Sequence, residues 1–379
     1  MADYETLKLI WWALVGVLLI GFAVTDGFDM GVGTLLPWLG KTDSERRVII
    51  NSVGPHWEGN QVWFVTAGGA LFAAWPMVYA SAFSGLYTAL IITLLALFLR
   101  PVGFDYRSKL DNPAWRSRWD WALFVGSVVP PIIFGVAFGN LFLGLPFDLD
   151  EYLRPSYRGG LFGLLTPFPL LCGVLSLAML VMHGGVWLGM KSEGELRARA
   201  NRATVIAGAV SAILFGIGGI WITTGIDGMV ILAMADPNTA PDPLAKTVQM
   251  MEQGWLQNFA TYPLLSAVPL LGLGLPFITA ILASRQREGL AFLTSSLAVT
   301  SIIATAGIAL FPFVMPSSLN PSHSLTVWDA TSSALTLNIM LMVACVFVPL
   351  VLGYTIWSYA KMWGRISTAH IEQHSHSMY

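Results

Sequence analysis

Nine apolar stretches, each long enough to cross a bilayer, decide most of what this chain can fold into. A transmembrane helix needs about 20 mostly apolar residues, and inside a membrane its backbone groups must pair within the segment. We therefore predict an all-α polytopic membrane protein with nine transmembrane helices, in which residues 1–379 form a single integral membrane domain. The predicted spans are 9–33, 55–76, 78–100, 120–143, 162–190, 203–225, 261–283, 289–313 and 334–359.

The composition agrees with a membrane class and excludes others. Charged residues make up 11% of the chain, against about 25% in soluble domains. The net charge of -2 argues against nucleic acid as a partner. The first apolar run is long and follows an acidic start, so we expect a retained spanning helix rather than a cleaved signal peptide. Cys172 and Cys345 lie in apolar stretches and are typical of small buried hydrophobes.

The basic residues predict the orientation. Nine spans put the termini on opposite sides, and Lys and Arg accumulate on the cytoplasmic side. Of the 20 Lys and Arg residues, all but four fall in the connections 37–54, 100–119, 191–202, 284–288 and 360–379. The four on the other side are Lys8, Arg154, Arg158 and Lys246. We therefore expect the N-terminus outside and the C-terminus in the cytoplasm.

Two outer connections are polar. The connection 226–260 is the longest; it could cover a site or touch a partner, but its composition favours a solvated loop. The segment 315–333 is rich in hydroxyl side chains, which we expect to cap the last span because helix N-termini leave unpaired N–H groups. Asp329 is a further candidate cap.

Three acidic residues lie inside predicted spans. Asp26 and Asp29 are three residues apart, hence on one helical face, in the cytoplasmic third of span one. Glu58 lies about 5 Å inside the cytoplasmic end of span two, close after His56. An ionised carboxylate at a bilayer centre costs roughly 2.5–3.5 kcal/mol. We therefore expect these acids to be buried in the protein or to face water, with ion or proton transfer as the leading purpose.

Two interpretations of these acids stay open. In the first, they form a proton entry route from the cytoplasm, with Asp105 and Lys109 near its mouth. In the second, Arg100 at the end of span three forms a fixed ion pair with Asp26 or Asp29 and only clamps the helices. Asp105 and Lys109 would then be an interfacial pair at a spacing of four.

The histidines do not predict a haem or metal site. His56 and His183 both fall on the cytoplasmic side and could in principle pair as axial ligands, but a satisfied or interfacial histidine is the commoner case. His323 lies in an outer connection. The tail histidines, His370, His374 and His376, could bind a metal but fit a solvated tail better.

Five motifs, in order and spacing, carry a family resemblance over the whole length of the chain. They are Asp-Gly-Phe-Asp-Met-Gly at 26–31, His-Trp-Glu-Gly-Asn-Gln-Val-Trp at 56–63, Arg-Pro-Val-Gly-Phe-Asp-Tyr-Arg at 100–107, Phe-Pro-Phe-Val-Met-Pro-Ser-Ser at 311–318 and Trp-Asp-Ala-Thr-Ser-Ser at 328–333. With these motifs the chain resembles subunit II of the cytochrome bd quinol oxidases, most closely the enterobacterial type.

The resemblance implies an enzyme complex in the bacterial cytoplasmic membrane. A partner, subunit I, would hold haem b, haem d and the quinol site, and the complex would oxidise quinol and reduce oxygen to water with cytoplasmic protons. This chain would bind no haem itself. We expect its helices to form two four-helix bundles plus one peripheral helix, with a small single-span accessory subunit as a further partner.

The resemblance also implies roles for individual residues. The position of Glu58 lies on the family's proton path, although many relatives have Asp there, and Asp105 and Lys109 match positions near the entrance. Trp57 matches a position near which a quinone can sit in a structural role. Two alternatives remain: an ion-coupled secondary transporter, which usually shows two related halves, and a free-standing haem cytochrome, which the few histidines disfavour.

Overall fold

The structure, a computed structural model, describes residues 3–373, without the side chains of residues 370, 372 and 373. The fold is mostly helical, with 74% of residues in helices. The helices are α1 (Tyr4–Leu39), α2 (Asp43–Val53), α3 (Trp57–Ala74), α4 (Pro76–Gly85), α5 (Tyr87–Tyr106), α6 (Pro113–Leu143), α7 (Pro167–Lys191), α8 (Gly194–Gly225), α9 (Gln257–Thr261), α10 (Ala267–Ser284), α11 (Glu288–Leu310), α12 (Ala334–Lys361) and α13 (Thr368–Gln373).

Eight helices in the described part of the chain are long and apolar enough to cross a membrane. They are α1, α5, α6, α7, α8, α10 with the turn before it, α11 and α12. Helix α3 occupies the place of predicted span two but is not among the eight. It has only 18 residues, and Glu58, Asn60 and Gln61 in its first turns reduce its apolarity. A polytopic membrane protein is thus confirmed, while the count of nine is not.

The predicted span 78–100 is not one helix. Helix α4 ends at Gly85 and α5 begins at Tyr87. The ring of Tyr157, from an outer hairpin, lies so close to Gly85 that a Cβ added there would be 2.7 Å from it. Glycine thus permits a close approach at this junction that any other residue would obstruct.

Three small antiparallel sheets, in connections predicted to lie on the outer side, depart from the all-α expectation. Each pairs two short strands: β1 (Phe147–Leu149) with β2 (Pro155–Tyr157), β3 (Gly228–Ala233) with β4 (Thr247–Met251), and β5 (Phe313–Met315) with β6 (Leu325–Thr326). In each hairpin the backbone N–H and C=O groups of one strand find partners on the other.

The outer connections pack on the helices. The connection 226–260, expected to be solvated, contains β3, β4 and the buried Trp255, whose indole N–H donates to the Phe142 carbonyl at 3.1 Å. The connection is therefore more than a solvated loop, although many of its residues, such as 238–240 and 249–253, are exposed. The predicted hydroxyl cap of the last span is confirmed, because the Ser333 side chain accepts a hydrogen bond from the Thr336 N–H at the start of α12.

Helices α7 and α12 mark the two extremes of burial. In the most apolar stretch of α7, 67% of the residues are buried, whereas in α12 the share is 6%. Helix α7 meets α1 at Gly31 and Gly184, where the two backbones are too close for any Cβ. Helix α12 instead presents most of its surface outward, although its Tyr359 reaches back to the interior.

Candidate functional site

A buried ion pair joins α1 to α5. Asp26 is fully buried and the Arg100 side chain is only 1% exposed. The two Arg100 terminal nitrogens donate to the two carboxylate oxygens at 2.9 and 2.6 Å. This bidentate arrangement matches the fork of the guanidinium to the carboxylate and is among the stronger polar contacts in proteins. Of the two pairings left open by the sequence, Arg100 thus contacts Asp26.

Asp29 lies one turn further along α1 and is less well paired. It is buried, and its Oδ2 accepts a hydrogen bond from the Asn60 side-chain N–H₂ of α3 at 2.8 Å. Its Oδ1 is buried without a hydrogen-bond partner among the described residues. The Asp29 carboxyl is also near enough to that of Asp26 for two negative charges to repel each other. The structure therefore brings two acids and one arginine together.

Helix α12 completes this group through Tyr359. The Tyr359 hydroxyl donates to the Asn60 side-chain oxygen at 2.6 Å. The buried His56 ring stacks on the Tyr359 ring, with centroids 4.2 Å apart and planes at 4°. We call the set of Asp26, Asp29, His56, Asn60, Arg100 and Tyr359 the inner polar group. It is built by residues of α1, α5, α12 and α3 with the residue before it, which are far apart in the sequence.

The remaining predicted path residues lie outside this group. Glu58, Asp105 and Lys109 are all exposed on the surface of this chain. Of the two places expected for Glu58, the protein interior and a water-facing surface, the structure excludes the interior of this chain. Glu58 lies on an outward face of α3 that continues through the exposed Val62 and Val65. The predicted residues thus fall into a buried set and a surface set.

Trp57 and the large cavity are separate features. The Trp57 ring packs at 5.6 Å from the ring of Phe104 and is partly exposed. A cavity of about 890 Å³ lies elsewhere, between α1, α6, α7, α8, α10 and α11. Its lining is mostly apolar and includes Phe22, Phe134 and Phe215, but not Trp57.

The described histidines are occupied by structural contacts. His183 is completely buried; its Nδ1 contacts the Ser295 hydroxyl at 2.7 Å and its Nε2 contacts the Val24 carbonyl at 2.9 Å. Both ring nitrogens are therefore used, as expected for a packing histidine rather than a haem ligand. Among residues 3–373 with described side chains, no group of three or more His, Cys, Asp or Glu residues is arranged to hold a metal ion. The tail histidines His374 and His376, and the His370 side chain, lie outside the described residues.

A buried lysine on the predicted outer side has a full set of partners. The Lys8 side chain is completely buried, and its ammonium donates to the carbonyls of Pro237 and Trp328, both at 2.7 Å. The same nitrogen lies 3.9 Å from the centre of the Tyr4 ring, a cation–π contact. Lys8 thus ties the start of α1 to two outer connections.

A second outer lysine is paired in the same manner. Lys246 donates to the Pro243 carbonyl at 2.7 Å and forms a salt bridge of 3.0 Å with Asp329. Asp329 also accepts the Thr326 N–H at 2.9 Å, so it holds a turn before α12 rather than the helix end itself. Burial lowers the pKa of Lys246, and the charge of Asp329 opposes that shift.

The sequence reasoning missed Tyr359 and the two outer lysines as members of polar groups. A tyrosine near the cytoplasmic end of a span is typical of an aromatic belt, so its hydrogen bond to a residue 299 positions away had no local signal. For Lys8 the sequence contained a weak indication of a polar partner, because a cation at the edge of an apolar run needs one.

Comparisons with known proteins agree on one family. A sequence model described as cytochrome bd terminal oxidase subunit II matches residues 7–362. The chain is 56% identical to cytochrome bd-I ubiquinol oxidase subunit 2 of Escherichia coli K12 and 52% identical to the probable cytochrome oxidase subunit 2 of Haemophilus influenzae, each over the full length of both chains. It is 32% identical to cytochrome bd ubiquinol oxidase subunit 2 of Bacillus subtilis, over 94% of this chain and 96% of that protein.

A solved structure supports the fold. The chain is similar to a chain in the structure of the bd oxidase from Geobacillus thermodenitrificans, with a TM-score of 0.62 and 14% identity. The match covers 94% of this chain and 99% of that one. At this identity the likeness concerns the fold alone.

Proposed function

The chain belongs to the family of cytochrome bd terminal oxidase subunit II, and from that membership we propose that it carries protons from the cytoplasm to the haem-bearing partner. It is a subunit of a quinol:oxygen oxidoreductase and a multi-pass protein of the bacterial inner membrane. The family membership supports this proposal over the ion-coupled transporter that the sequence also allowed.

The proposed topology has nine spans, with the N-terminus outside and the C-terminus in the cytoplasm. It counts α3 as a span and α4 with α5 as one interrupted span. The concentration of Lys and Arg in alternate connections supports this orientation. We propose two four-helix bundles with α12 as the peripheral helix, since α12 is the least buried of the eight apolar helices.

The exposure of Glu58 is the observation that carries the proposal. A carboxylate that faces lipid is costly, roughly 2.5–3.5 kcal/mol at the bilayer centre and less near the interface. An exposed acid on a spanning helix is therefore best explained by a protein partner that covers it. We propose that subunit I packs on the outward faces of α3 and α12, and that Glu58 hands protons across this contact.

The remaining path residues take their proposed roles from their positions. Asp105 and Lys109, exposed at the cytoplasmic end of α5, form the entrance. Asp26, Asp29 and His56 form a second station of the path inside the chain. Arg100 keeps α1 and α5 together through Asp26 and so holds this station in place.

The proposed chemistry is divided between the subunits. We propose that haem b, haem d and the quinol site belong to subunit I, and that a small single-span accessory subunit joins the complex. This chain contributes no redox group in the proposal. Its side chains bind, orient and transfer protons, and its apolar surfaces bind the partner and the lipid bilayer.

A test replaces Glu58 in the assembled oxidase. Glu58→Gln keeps the size and hydrogen-bonding capacity of the side chain but cannot release a proton, so turnover should fall by roughly 10²-fold. Glu58→Asp should retain most of the turnover because it keeps the carboxyl group. Glu195→Gln removes another exposed cytoplasmic carboxylate and is the matched control.

The readouts are quinol-driven oxygen consumption and proton uptake in vesicles that contain the oxidase. The haem spectrum of each variant shows whether subunit I is assembled. Normal turnover in Glu58→Gln, with normal haem content, would rule out the proposed hand-over.

A second proposal concerns a structural quinone, for which the chain offers two places. One is the surface beside Trp57, and the other is the cavity of about 890 Å³, which has the volume and apolar lining that a quinone needs. Gly216 lines this cavity, so Gly216→Leu should partly fill it. Quinone extracted from the purified complex should decrease in Gly216→Leu if the cavity is the site, and in Trp57→Ala if the surface is.

A further inference from the structure

The inner polar group contains two acids but only one arginine. Asp26 and Asp29 lie one turn apart on α1, and their carboxyl groups interact. Arg100 is the only cation hydrogen-bonded to either acid among the described residues. If both acids were ionised, this buried group would carry a net charge of −1 inside the bilayer.

Arg100 is committed to Asp26. Both of its terminal nitrogens donate to the Asp26 oxygens, and its Nε is buried without a hydrogen-bond partner in the described part of the chain. The guanidinium stays charged at any pH a protein experiences. Asp26 is therefore the acid whose ionised form the structure compensates.

Asp29 lacks a comparable environment for a negative charge. An ionised carboxylate offers about four sites for hydrogen bonds, and Asp29 receives one, from the neutral amide of Asn60. Its Oδ1 is buried without a donor. Burying an ion without adequate pairing is strongly unfavourable, and a buried acid avoids that cost by keeping its proton.

The orientation of Asn60 fits a neutral acid. The Tyr359 hydroxyl donates to the Asn60 oxygen, which directs the amide N–H₂ toward Asp29 Oδ2. In a protonated Asp29, Oδ2 is the carbonyl oxygen that accepts this bond, while Oδ1 carries the proton and can donate to the Asp26 carboxylate. Every polar atom of Asp29 then has a partner.

We propose that Asp29 is a proton-holding site, kept as a neutral carboxylic acid whose Oδ1–H donates to Asp26, so that Asp26, Asp29 and Arg100 together carry no net charge. Tyr359 is a positioning residue of this site, because its hydroxyl fixes the Asn60 amide. The site deepens the proposed function by naming where the inner station holds its proton, but its protonation does not depend on whether Glu58 conducts.

Infrared spectroscopy of the assembled oxidase in lipid bilayers tests this site. A protonated carboxylic acid has a C=O stretching band that a carboxylate and an amide lack. The spectrum of Asp29→Asn, compared with the parent protein, should lose one such band. Asn is nearly isosteric with the neutral acid, so haem content and thermal stability should change little.

Three further variants separate the outcomes. Asp29→Glu should retain the acid band at a shifted frequency, and it keeps the test decisive if the Asn variant does not assemble. Tyr359→Phe should shift the band, because the Asn60 amide is then free to rotate. Glu58→Gln should leave the band unchanged, so a failure of the Glu58 hand-over would not affect this result.

An unchanged carboxylic acid region in assembled Asp29→Asn would overturn the proposal. It would mean that Asp29 is ionised in the parent protein. For Asp29→Glu, an unshifted acid region would have the same meaning. An unshifted band in Tyr359→Phe would overturn the positioning role of Tyr359 alone.

Discussion

The inner polar group and the outer lysines both bury charge, but they satisfy it to different degrees. On the outer side, Lys8 has two carbonyl acceptors and an aromatic ring, and Lys246 has a carbonyl and Asp329. On the inner side, Asp29 Oδ1 and Arg100 Nε have no partner among the described residues. A fully paired buried charge is typical of a structural tie, whereas an incompletely paired one indicates a site that exchanges protons or ligands. We therefore interpret the two outer lysines as structural ties and the inner polar group as the candidate site of proton exchange.

The largest expected effect comes from removing both inner acids. In Asp26→Asn alone, Asp29 can release its proton and become the partner of Arg100, so the oxidase should still assemble. In Asp29→Asn alone, Asp26 remains. In the double variant Arg100 is buried without a carboxylate and cannot lose its proton, which should cost about 3–5 kcal/mol.

Haem content of purified membranes and thermal stability of the complex measure this effect. The double variant should lose more than the sum of the two single variants, which is the signature of coupled residues. Strict additivity would mean that Asp29 does not replace Asp26 as the partner of Arg100 in Asp26→Asn.

The long apolar helices could be predicted from the sequence because their length and composition depend only on local residues. Which face of each helix points outward could not. Helix α3 is apolar on most sides, and lipid and protein interior are both apolar, so no pattern indicated that Glu58 is exposed. The break between Gly85 and Tyr87 depends on Tyr157 of a distant hairpin.

The inner polar group was predictable only in part. The three-residue spacing correctly put Asp26 and Asp29 on one face, and Arg100 was among the candidate partners. The sequence could not show which of the two acids pairs with Arg100, because that depends on how α5 lies against α1. Tyr359 joins the group from the far end of the chain through tertiary packing alone.

A medium effect is expected on the outer side from Lys8→Met. This change keeps the length of the side chain but leaves the carbonyls of Pro237 and Trp328 without their donor, at a cost of about 1–3 kcal/mol. The thermal unfolding midpoint should fall. Turnover per assembled haem should be unchanged, since Lys8 is a structural tie. A lower turnover at normal haem content would contradict a purely structural role for Lys8.

Tyr359→Phe should have a smaller effect on stability. The variant loses one hydrogen bond, to Asn60, worth about 0.5–1.5 kcal/mol, and keeps the ring that stacks on His56. Thermal unfolding of the complex measures the loss. Tyr4→Phe, which removes a hydroxyl that donates to the Ser332 carbonyl at 2.6 Å, is the matched control on the outer side. Proton uptake should change in Tyr359→Phe but not in Tyr4→Phe, and equal behaviour of the two variants would remove the functional difference between the sides.

The smallest expected effect is a dependence of stability on pH that arises from Lys246. Burial lowers the pKa of this lysine in the folded protein, against the partly compensating charge of Asp329. Between the lowered pKa of Lys246 in the folded protein and its pKa of about 10.4 in the unfolded chain, the unfolded chain binds more protons than the folded one. Stability from this group therefore rises with pH through that range, because the cost of burying the charged form disappears as the lysine loses its proton. Below the lowered pKa, Lys246 is charged in both states, and its contribution to stability does not change with pH.

Lys246→Met should remove this pH-dependent part of the stability, so the difference in thermal unfolding midpoint between parent and variant should vary as the pH approaches 10.4. A difference independent of pH would show that the partners of Lys246 fully compensate its buried charge, unlike the partners of Asp29 in the inner polar group.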